Sequence, residues 1–191
     1  MSPPPVRLLT LLAVFVGYAA WAAEPTAAPT PDEAALLRAD AAARLLAKTL
    51  KDRVVEELGR GGAPAALAAC NTDAAALTAG VTAESGVRVG RSSLRLRNPA
   101  NASPDWVRAW LSAQGEVPAA AVAPYRAVVD GKARIVRPIA VEAPCLLCHG
   151  PREGLAPAVL TELQLRYPDD RATGYGVGDL RGALWAEVPV H

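Results

Sequence analysis

The chain has 191 residues, of which 51% are hydrophobic and 20% are charged, with three Cys, two His and one Met. This length fits one domain, and the composition is that of a folded protein rather than a disordered one. The 20 Lys and Arg against 19 Asp and Glu leave a net charge of +1, which excludes a strongly basic protein that binds nucleic acid through its overall charge.

The N-terminus has the pattern of a secretory signal peptide. Arg7 is followed by an apolar run over residues 8–20, which is shorter than the roughly 20 residues that a membrane-spanning helix needs. Ala20-Trp21-Ala22 places small residues where signal peptidase cleaves; the alternative is an uncleaved anchor. We therefore expect a signal peptide over residues 1–22 as the only membrane contact, a Pro- and Ala-rich linker over 23–31, and a soluble periplasmic domain over 32–191.

Two helices are predicted at the start of this domain. Thr30 is placed to cap the first, with Pro31 in its first turn, and its pattern extends to about Leu58. A second helix is expected over about 64–81, after three glycines. Apolar residues at helical spacing predict one buried stripe on each helix: Leu37, Ala41, Leu45, Leu46 and Leu50 on the first, and Leu67, Cys70, Ala74 and Leu77 on the second.

After Gly86 the pattern changes to that of β-strands and turns. Apolar and polar residues alternate over 87–96, which predicts a strand interrupted near Gly90. Ser103 is placed to cap a short helix that contains Trp106, as Ser does at many helix starts.

The C-terminal half contains the clearest hairpin signal. Asp130-Gly131 separates two alternating segments, 125–129 and 132–141, and suits a two-residue turn. A short helix over about 155–166 and a last strand over about 183–190 follow. The predicted fold is therefore α+β, with N-terminal helices beside a small antiparallel sheet of four or five strands.

Cys145-Leu146-Leu147-Cys148-His149 is the sequence to which c-type haem is attached. Two thiols three residues apart form thioethers with the haem vinyl groups, and the adjacent imidazole binds the iron. The predicted export agrees with this chemistry. We therefore predict one covalent haem c, attached at Cys145 and Cys148, with His149 as an axial iron ligand. The alternatives are a thioredoxin-like redox pair, which needs a βαβ setting, a zinc site, which needs four ligands, and a strained disulfide.

The second axial ligand is harder to identify. The only methionine is Met1, which would leave with the signal peptide, and His191 is the last residue, where we expect the chain to fray. Cys70 is the one cysteine of the sequence that lies outside the Cys145–His149 segment. From the residues alone, thiolate ligation of ferric iron and burial as a small core residue are equally open for Cys70. Lys48, Lys51, Tyr125 and an open coordination site are further alternatives.

Five blocks along the chain resemble a known family in sequence and order. They are Ala69-Cys70-Asn71, residues 90–101, Arg137-Pro138-Ile139, residues 145–150 and residues 167–182. Over about residues 32–190 they resemble a bacterial family of exported PAS-like c-type haem domains. The resemblance implies a PAS-like fold and an iron held by a His and an unusual Cys thiolate, which fall on His149 and Cys70. Ser103-Pro104-Asp105-Trp106 departs from the expected Pro-Asp-Asp-Trp and should alter only a helix cap.

Charged residues within these blocks are candidates for contacts with the haem. Arginine forms paired hydrogen bonds with carboxylates, so it suits the two propionates. The alternative for each arginine is a solvated strand position or an internal ion pair. Asp169, Asp170 and Asp179 are interpreted as caps and solvated loop charges. The candidate propionate contacts are Arg91, Arg95, Arg97 and Arg181.

We predict that the protein is a sensor module that responds to redox state or to a diatomic gas. Members of the family that these blocks resemble occur alone or as periplasmic input domains of membrane-bound signalling proteins. A thiolate ligand favours Fe(III) and a low potential, so reduction should weaken the Cys70 bond and open a site for a gas. No kinase or cyclase segment lies within these 191 residues, so a separate redox or signalling partner protein is expected.

Two other functions are alternatives to a sensor. A small periplasmic electron-transfer cytochrome c needs no signalling partner and is the main alternative. A peroxidase-like enzyme usually has an acid–base group near a vacant iron site, and the sequence offers no convincing histidine for that role. We therefore expect no enzymatic activity.

Overall fold

The computed structural model describes residues 28–191. The predicted signal peptide and most of the predicted linker lie outside the described residues. Between residues 28 and 191, no helix combines the length and the apolar character that crossing a bilayer requires.

A long N-terminal helix, α1, runs from Pro31 to Thr72 and is kinked in its C-terminal half. Thr30 caps it as predicted, because its hydroxyl accepts from the backbone N–H of Glu33 and the Glu33 carboxylate accepts from the Thr30 N–H at 2.9 Å. The backbone leaves helical values at Gly61 and Gly62. The predicted break at the glycines is therefore a kink rather than a loop.

The segment predicted as one helix over about 64–81 belongs to two helices. Its first part is the end of α1, and a second helix, α2, runs from Ala74 to Ser85. Strand β1 follows at Arg88–Ser92. The prediction that this strand continues to residue 96 is wrong, because the chain turns at Ser93, whose hydroxyl accepts from the backbone N–H of Arg95 at 3.0 Å.

Helix α3 spans Asp105–Gln114 and covers part of one face of the sheet. Its cap position is Pro104, with no side-chain hydrogen bond, so the prediction that Ser103 caps it is wrong. The helix starts one residue later than the Ser103 pattern predicts. Its buried residues Val107 and Leu111 pack against Val136 and Ala183 of the sheet.

Four antiparallel strands form a single sheet in the order β1-β4-β3-β2, with β2 at Tyr125–Val129, β3 at Lys132–Ala140 and β4 at Leu180–Pro189. The predicted hairpin joins β2 to β3, and Asp130 and Gly131 have φ angles of 52° and 68°, as a primed turn requires. Two more helices, α4 at Leu146–His149 and α5 at Pro157–Arg166, lie between β3 and β4. The observed fold is α+β, as predicted.

The main core lies between α1 and the sheet. Leu46 is buried as predicted, but Leu37 is 53% exposed, and small side chains of α1 face the sheet instead. Alanines allow a helix to approach a sheet closely, so the buried face is offset from the predicted leucine stripe. The α1 residues in this core are Ala35, Ala39, Ala42, Ala43 and Leu46.

Gly182 of β4 is a position where any side chain would disturb strand pairing. A Cβ there would lie 2.2 Å from the carbonyl oxygen of Ser92 in β1. We expect Gly182→Ala to lower the free energy of unfolding by about 1–3 kcal/mol, as measured by urea denaturation. In the control Gly59→Ala, where no atom lies within 4 Å of the new Cβ, helix propensity should raise stability by roughly 0.5–1 kcal/mol. Equal effects of the two substitutions would contradict this account of the packing.

Candidate functional site

The Cys-X-X-Cys-His segment lies directly after the long strand β3. A single 3-10 turn covers Ala143–Cys145 and leads into α4. Cys145 and Cys148 are half-buried and are not joined in a disulfide. Residues three apart share one face of a helical turn, so the segment presents both thiols on one side. The preceding elements form an antiparallel hairpin rather than the βαβ setting of a thioredoxin-like pair.

The glycine-rich stretch before β4 holds this segment in place. The Gly174 N–H donates to the Gly150 carbonyl at 2.7 Å, and the Tyr175 N–H donates to the His149 carbonyl at 2.9 Å. Ala172 and Tyr175 are buried and pack with Cys145. The stretch is therefore a supporting wall of the candidate site.

His149 has one ring nitrogen bonded to the protein. Its Nδ1 lies 2.6 Å from the carbonyl oxygen of Ala172. A carbonyl only accepts, so Nδ1 holds the proton and Nε2 has a free lone pair. The Arg181 Nε lies 3.3 Å from the same Nδ1, but a nitrogen that donates to Ala172 cannot also accept from Arg181, and the shorter contact fixes the tautomer. Nε2 is therefore available to bind a metal ion.

The surroundings keep the His149 ring neutral. Burial, aided by the positive charges of Arg97 and Arg181, lowers the pKa of His149 to about 3. Burial likewise lowers the pKa of Arg181 to about 10. A neutral imidazole is the form that ligates metals, so His149 does not need to lose a proton near neutral pH before it can act as a ligand.

Cys70 lies near the Cys-X-X-Cys-His segment although the two are distant in sequence. Helix α1 packs against α4 and α5, and Leu67, one turn before Cys70, packs in a cluster with Cys148. Cys70 is close enough to contribute to a raised pKa of Cys148, which reaches about 11 chiefly through burial. The fold therefore brings Cys70, Cys148 and His149 to one region.

The electrostatic environment of Cys70 has two opposing parts. Burial raises the pKa of its thiol, while the positive charges of Arg91 and Arg97 act to lower it. A thiolate on Cys70 is thus disfavoured by desolvation and favoured by two neighbouring cations. A bound metal cation would add to the second effect.

A cavity of about 220 Å³ adjoins Cys70. It lies between α1, α2, β1 and the loop over residues 98–102, and Arg91 and Trp185 contribute to its wall. The Trp185 ring lies against Gly90, where a Cβ would come within 2.5 Å of the ring. The cavity thus gives the Cys70 side of the site room for a further group.

The four candidate arginines have different surroundings. All four lie within the described residues, and of the four only Arg91 lines the cavity beside Cys70. Arg95 donates to the carbonyl oxygens of Arg171 and Thr173 and stacks over Tyr175.

Arg97 and Arg181 have internal partners. Arg97 forms a buried ion pair with Asp170 at 3.1 Å, which is the alternative to a propionate contact. Arg181 donates to the Arg95 carbonyl at 3.2 Å and lies beside His149.

Asp170 is a buried residue near the candidate site that sequence reasoning missed. The prediction that it is a solvated loop charge is wrong, because its side chain is 3% exposed and paired with Arg97. Asp179 does behave as a turn cap, since its carboxylate accepts from the Gly176 N–H at 2.7 Å. Arg97 and Asp170 are far apart in sequence and lie in two different blocks, so a single sequence contains no signal that pairs them.

Each alternative axial ligand is engaged with another group or lies away from the Cys-X-X-Cys-His segment. Lys48 pairs with Asp52 and Lys51 with Glu142, both on the surface. Tyr125 packs near Trp106 by the sheet, and His191 is exposed after β4. Between residues 28 and 191, no three His, Cys, Asp or Glu side chains are gathered as a metal site of their own.

Comparison with known proteins gives one family and one solved structure. The family model described as Tll0287-like matches residues 23–189. A crystal structure described as the cyanobacterial heme-protein Tll0287 has 24% sequence identity and a TM-score of 0.58, with 78% of this chain and 91% of that chain covered. No curated protein matches. At this identity the structural likeness shows a shared fold.

The pKa of His149 makes stability depend on pH. Because this pKa falls from 6.5 to about 3 on folding, only the unfolded chain binds a proton there between those values. Stability of the haem-free protein should therefore fall as the pH falls through this window, by up to about 1.4 kcal/mol per pH unit. Urea denaturation at several values between about pH 4 and pH 6.5 measures this dependence of stability on pH. His149→Asn, whose amide N–H can still face Ala172, should have a shallower dependence; identical slopes would contradict the assignment.

Proposed function

Because this chain belongs to the Tll0287-like family, we propose that it is an exported protein that binds one covalent haem c and responds to redox state or to a diatomic gas. The observation that supports this most directly is the His149 ring, with Nδ1 bonded to Ala172 and Nε2 free, next to two unpaired thiols. The description of the solved Tll0287 structure as a haem protein agrees with this proposal.

The donor set of the chain fits an iron porphyrin. Cys145 and Cys148 would hold the haem through thioethers, His149 would bind iron through Nε2, and Cys70 would bind it through Sγ. Thiolate and imidazole are both ligands that suit haem iron. A bound haem supplies one-electron chemistry and a coordination position for a small ligand.

Arg91 is the strongest candidate for a propionate contact. It lies on the cavity wall beside Cys70, and its guanidinium is suited to paired hydrogen bonds with a carboxylate. Arg95, Arg97 and Arg181 instead donate to protein carbonyls or to Asp170. We therefore propose Arg91 as the principal propionate partner.

The fold and the location of the protein are part of the proposal. An antiparallel four-stranded sheet flanked by helices agrees with a PAS-like domain, as the sequence resemblance implies. The pattern of residues 1–22 supports export to the periplasm. A separate redox or signalling protein would read the output, and neither nucleic acid nor an enzymatic reaction is part of this function.

Cys70 is the element that would respond to the signal. The positive charges of Arg91 and Arg97 favour a thiolate at its Sγ, whereas burial favours the neutral thiol. Reduction of a bound haem iron by a partner protein would lower its positive charge and so weaken its attraction for the thiolate. Burial would then favour the neutral thiol on Cys70 Sγ, and the adjoining cavity would give space for a diatomic ligand. An electron carrier would instead keep Cys70 bound in both redox states.

Covalent attachment is tested by replacing the two attachment cysteines. Wild-type protein, exported together with a haem-maturation system, should be heavier than its polypeptide by one haem in mass spectrometry of the denatured protein. Cys145→Ala/Cys148→Ala should lack this added mass, because no thioether can form. The control Cys70→Ser should retain it, since Cys70 forms no thioether. A wild-type protein without the added mass would contradict the proposal.

The role of Cys70 is tested by the spectra of both redox states. In the ferric protein, Cys70→Ser should lose the low-spin thiolate signature in the absorption and EPR spectra, because the sulphur ligand is removed. In the ferrous protein, wild type should bind carbon monoxide with an affinity close to that of Cys70→Ser, because Cys70 has already left the iron.

Thr78→Ser is the matched control, because Thr78 lines the same cavity but provides no sulphur. Its spectra should match those of wild type. Unchanged ferric spectra in Cys70→Ser would remove Cys70 from the iron. A ferrous wild type that excludes carbon monoxide while Cys70→Ser binds it would favour an electron carrier.

A further inference from the structure

Arg97 and Asp170 form a buried ion pair directly behind the Cys-X-X-Cys-His segment. The Arg97 side chain is 9% exposed and that of Asp170 is 3% exposed. The Arg97 Nε donates to Asp170 Oδ1 at 3.1 Å, and the Arg97 Nη2 donates to Asp170 Oδ2 at 3.3 Å. This paired geometry orients the guanidinium rigidly.

The same guanidinium also holds two backbone carbonyls. The two N–H groups of Arg97 Nη2 are shared among three acceptors, which are Asp170 Oδ2, the carbonyl oxygen of Cys148 and, at 3.2 Å, that of Ala172. Cys148 is a predicted haem-attachment residue and directly precedes His149. Arg97 therefore fixes the end of α4 relative to Ala172.

Asp170 secures Ala172 from the other side. Its Oδ1 accepts from the backbone N–H of Ala172 at 2.9 Å, so the N–H and the carbonyl of one residue are both bound by the ion pair. The Ala172 carbonyl is also the acceptor of the His149 Nδ1 proton at 2.6 Å. Only the Ala172 carbonyl therefore lies between the ion pair and the His149 ring.

A stability role alone does not account for this arrangement. Removing two charges from water is costly, and buried ion pairs are often no more stabilising than apolar side chains of the same volume. Here the hydrogen bonds of the pair are directed at the two backbone segments that set the position of His149. In metal sites, partners behind a ligating histidine fix its tautomer and ring orientation.

We propose that Arg97 and Asp170 are positioning residues that hold the Ala172 carbonyl where it fixes the tautomer and the orientation of the His149 ring. This inference rests on the proposed function, because it assigns the pair a role at the axial ligand. Without the pair, the Ala172 carbonyl is free to move, and the His149 ring takes more than one orientation at the iron.

Arg97→Lys tests this role in the exported, haem-loaded protein. Lysine keeps the charge opposite Asp170 but has no planar fork, so it cannot pair with both carboxylate oxygens while it also donates to both carbonyls. We expect the ferric EPR spectrum to change from one set of g values to shifted or multiple sets. The His149 Nδ1 proton of the reduced protein should exchange with solvent about tenfold faster or more in NMR spectra.

Arg134→Lys is the matched control. Arg134 also pairs with a buried carboxylate, since its Nε donates to Glu187 at 2.8 Å. This pair is distant from the site, because Glu187 lies six residues, or about 20 Å, along β4 from Arg181, the residue of that strand beside His149. Both lysine variants should unfold at lower temperature than wild type. The control should keep the wild-type g values and the wild-type exchange rate.

A second variant keeps the inference testable if Arg97→Lys fails to fold. Arg97→Met/Asp170→Leu removes both charges together, so no unpaired charge is left buried, and it should show the same EPR and exchange changes. Wild-type protein provides an independent measurement, because its Nδ1 proton should exchange slowly. Rapid exchange in wild type, or wild-type spectra in either Arg97 variant, would overturn the inference.

Failure of the proposed function gives a different result. In that case wild type has no covalent haem, or His149→Gln leaves the ferric spectrum unchanged. Failure of the positioning role leaves haem bound through His149 and the spectra insensitive to Arg97.

Discussion

The hydrogen bond from His149 Nδ1 to the carbonyl oxygen of Ala172 is the interaction on which the site depends. It determines which ring nitrogen holds the proton, and so leaves Nε2 as the only ring atom with a free lone pair. The carbonyl of Ala172 is itself held by Arg97, and the N–H of the same residue by Asp170. Nearby backbone hydrogen bonds join residues 149 and 150 to residues 174 and 175. A small number of polar contacts thus holds the His149 ring, at the end of a short helical turn, in one orientation.

The rest of the fold brings Cys70, which we propose as the second axial ligand, to this turn. Alanines on α1 let the helix lie close to the sheet, and the kink at Gly61–Gly62 sets the direction of the helical part that contains Cys70. Gly90 provides space for Trp185 at the wall of the adjoining cavity. The positions of small residues therefore decide how near α1 comes to α4, and how much space remains beside Cys70.

Local signals in the sequence were sufficient for much of the fold. The Thr30 cap and the Asp130-Gly131 turn depend on neighbouring residues, and the structure contains both. The last strand, expected over about residues 183–190, is also present as β4. The strand expected over residues 94–96 was wrong because the chain turns at Ser93, whose hydroxyl accepts a hydrogen bond from the Arg95 N–H. The offset of the buried face of α1 depends on how closely the sheet approaches, which helical periodicity does not specify.

The residues of the candidate site also divide into those that local sequence identifies and those that only folding brings together. Cys145, Cys148 and His149 form a local motif, so they could be identified from spacing alone, whereas the ion pair between Arg97 and Asp170 exists only once distant segments meet. Electron–nuclear double resonance of ferric protein labelled with heavy-isotope histidine tests the central claim most directly. A coupling to a single imidazole nitrogen at the iron, absent from His149→Gln, is the expected result. No nitrogen coupling, or a coupling that persists in His149→Gln, would contradict it.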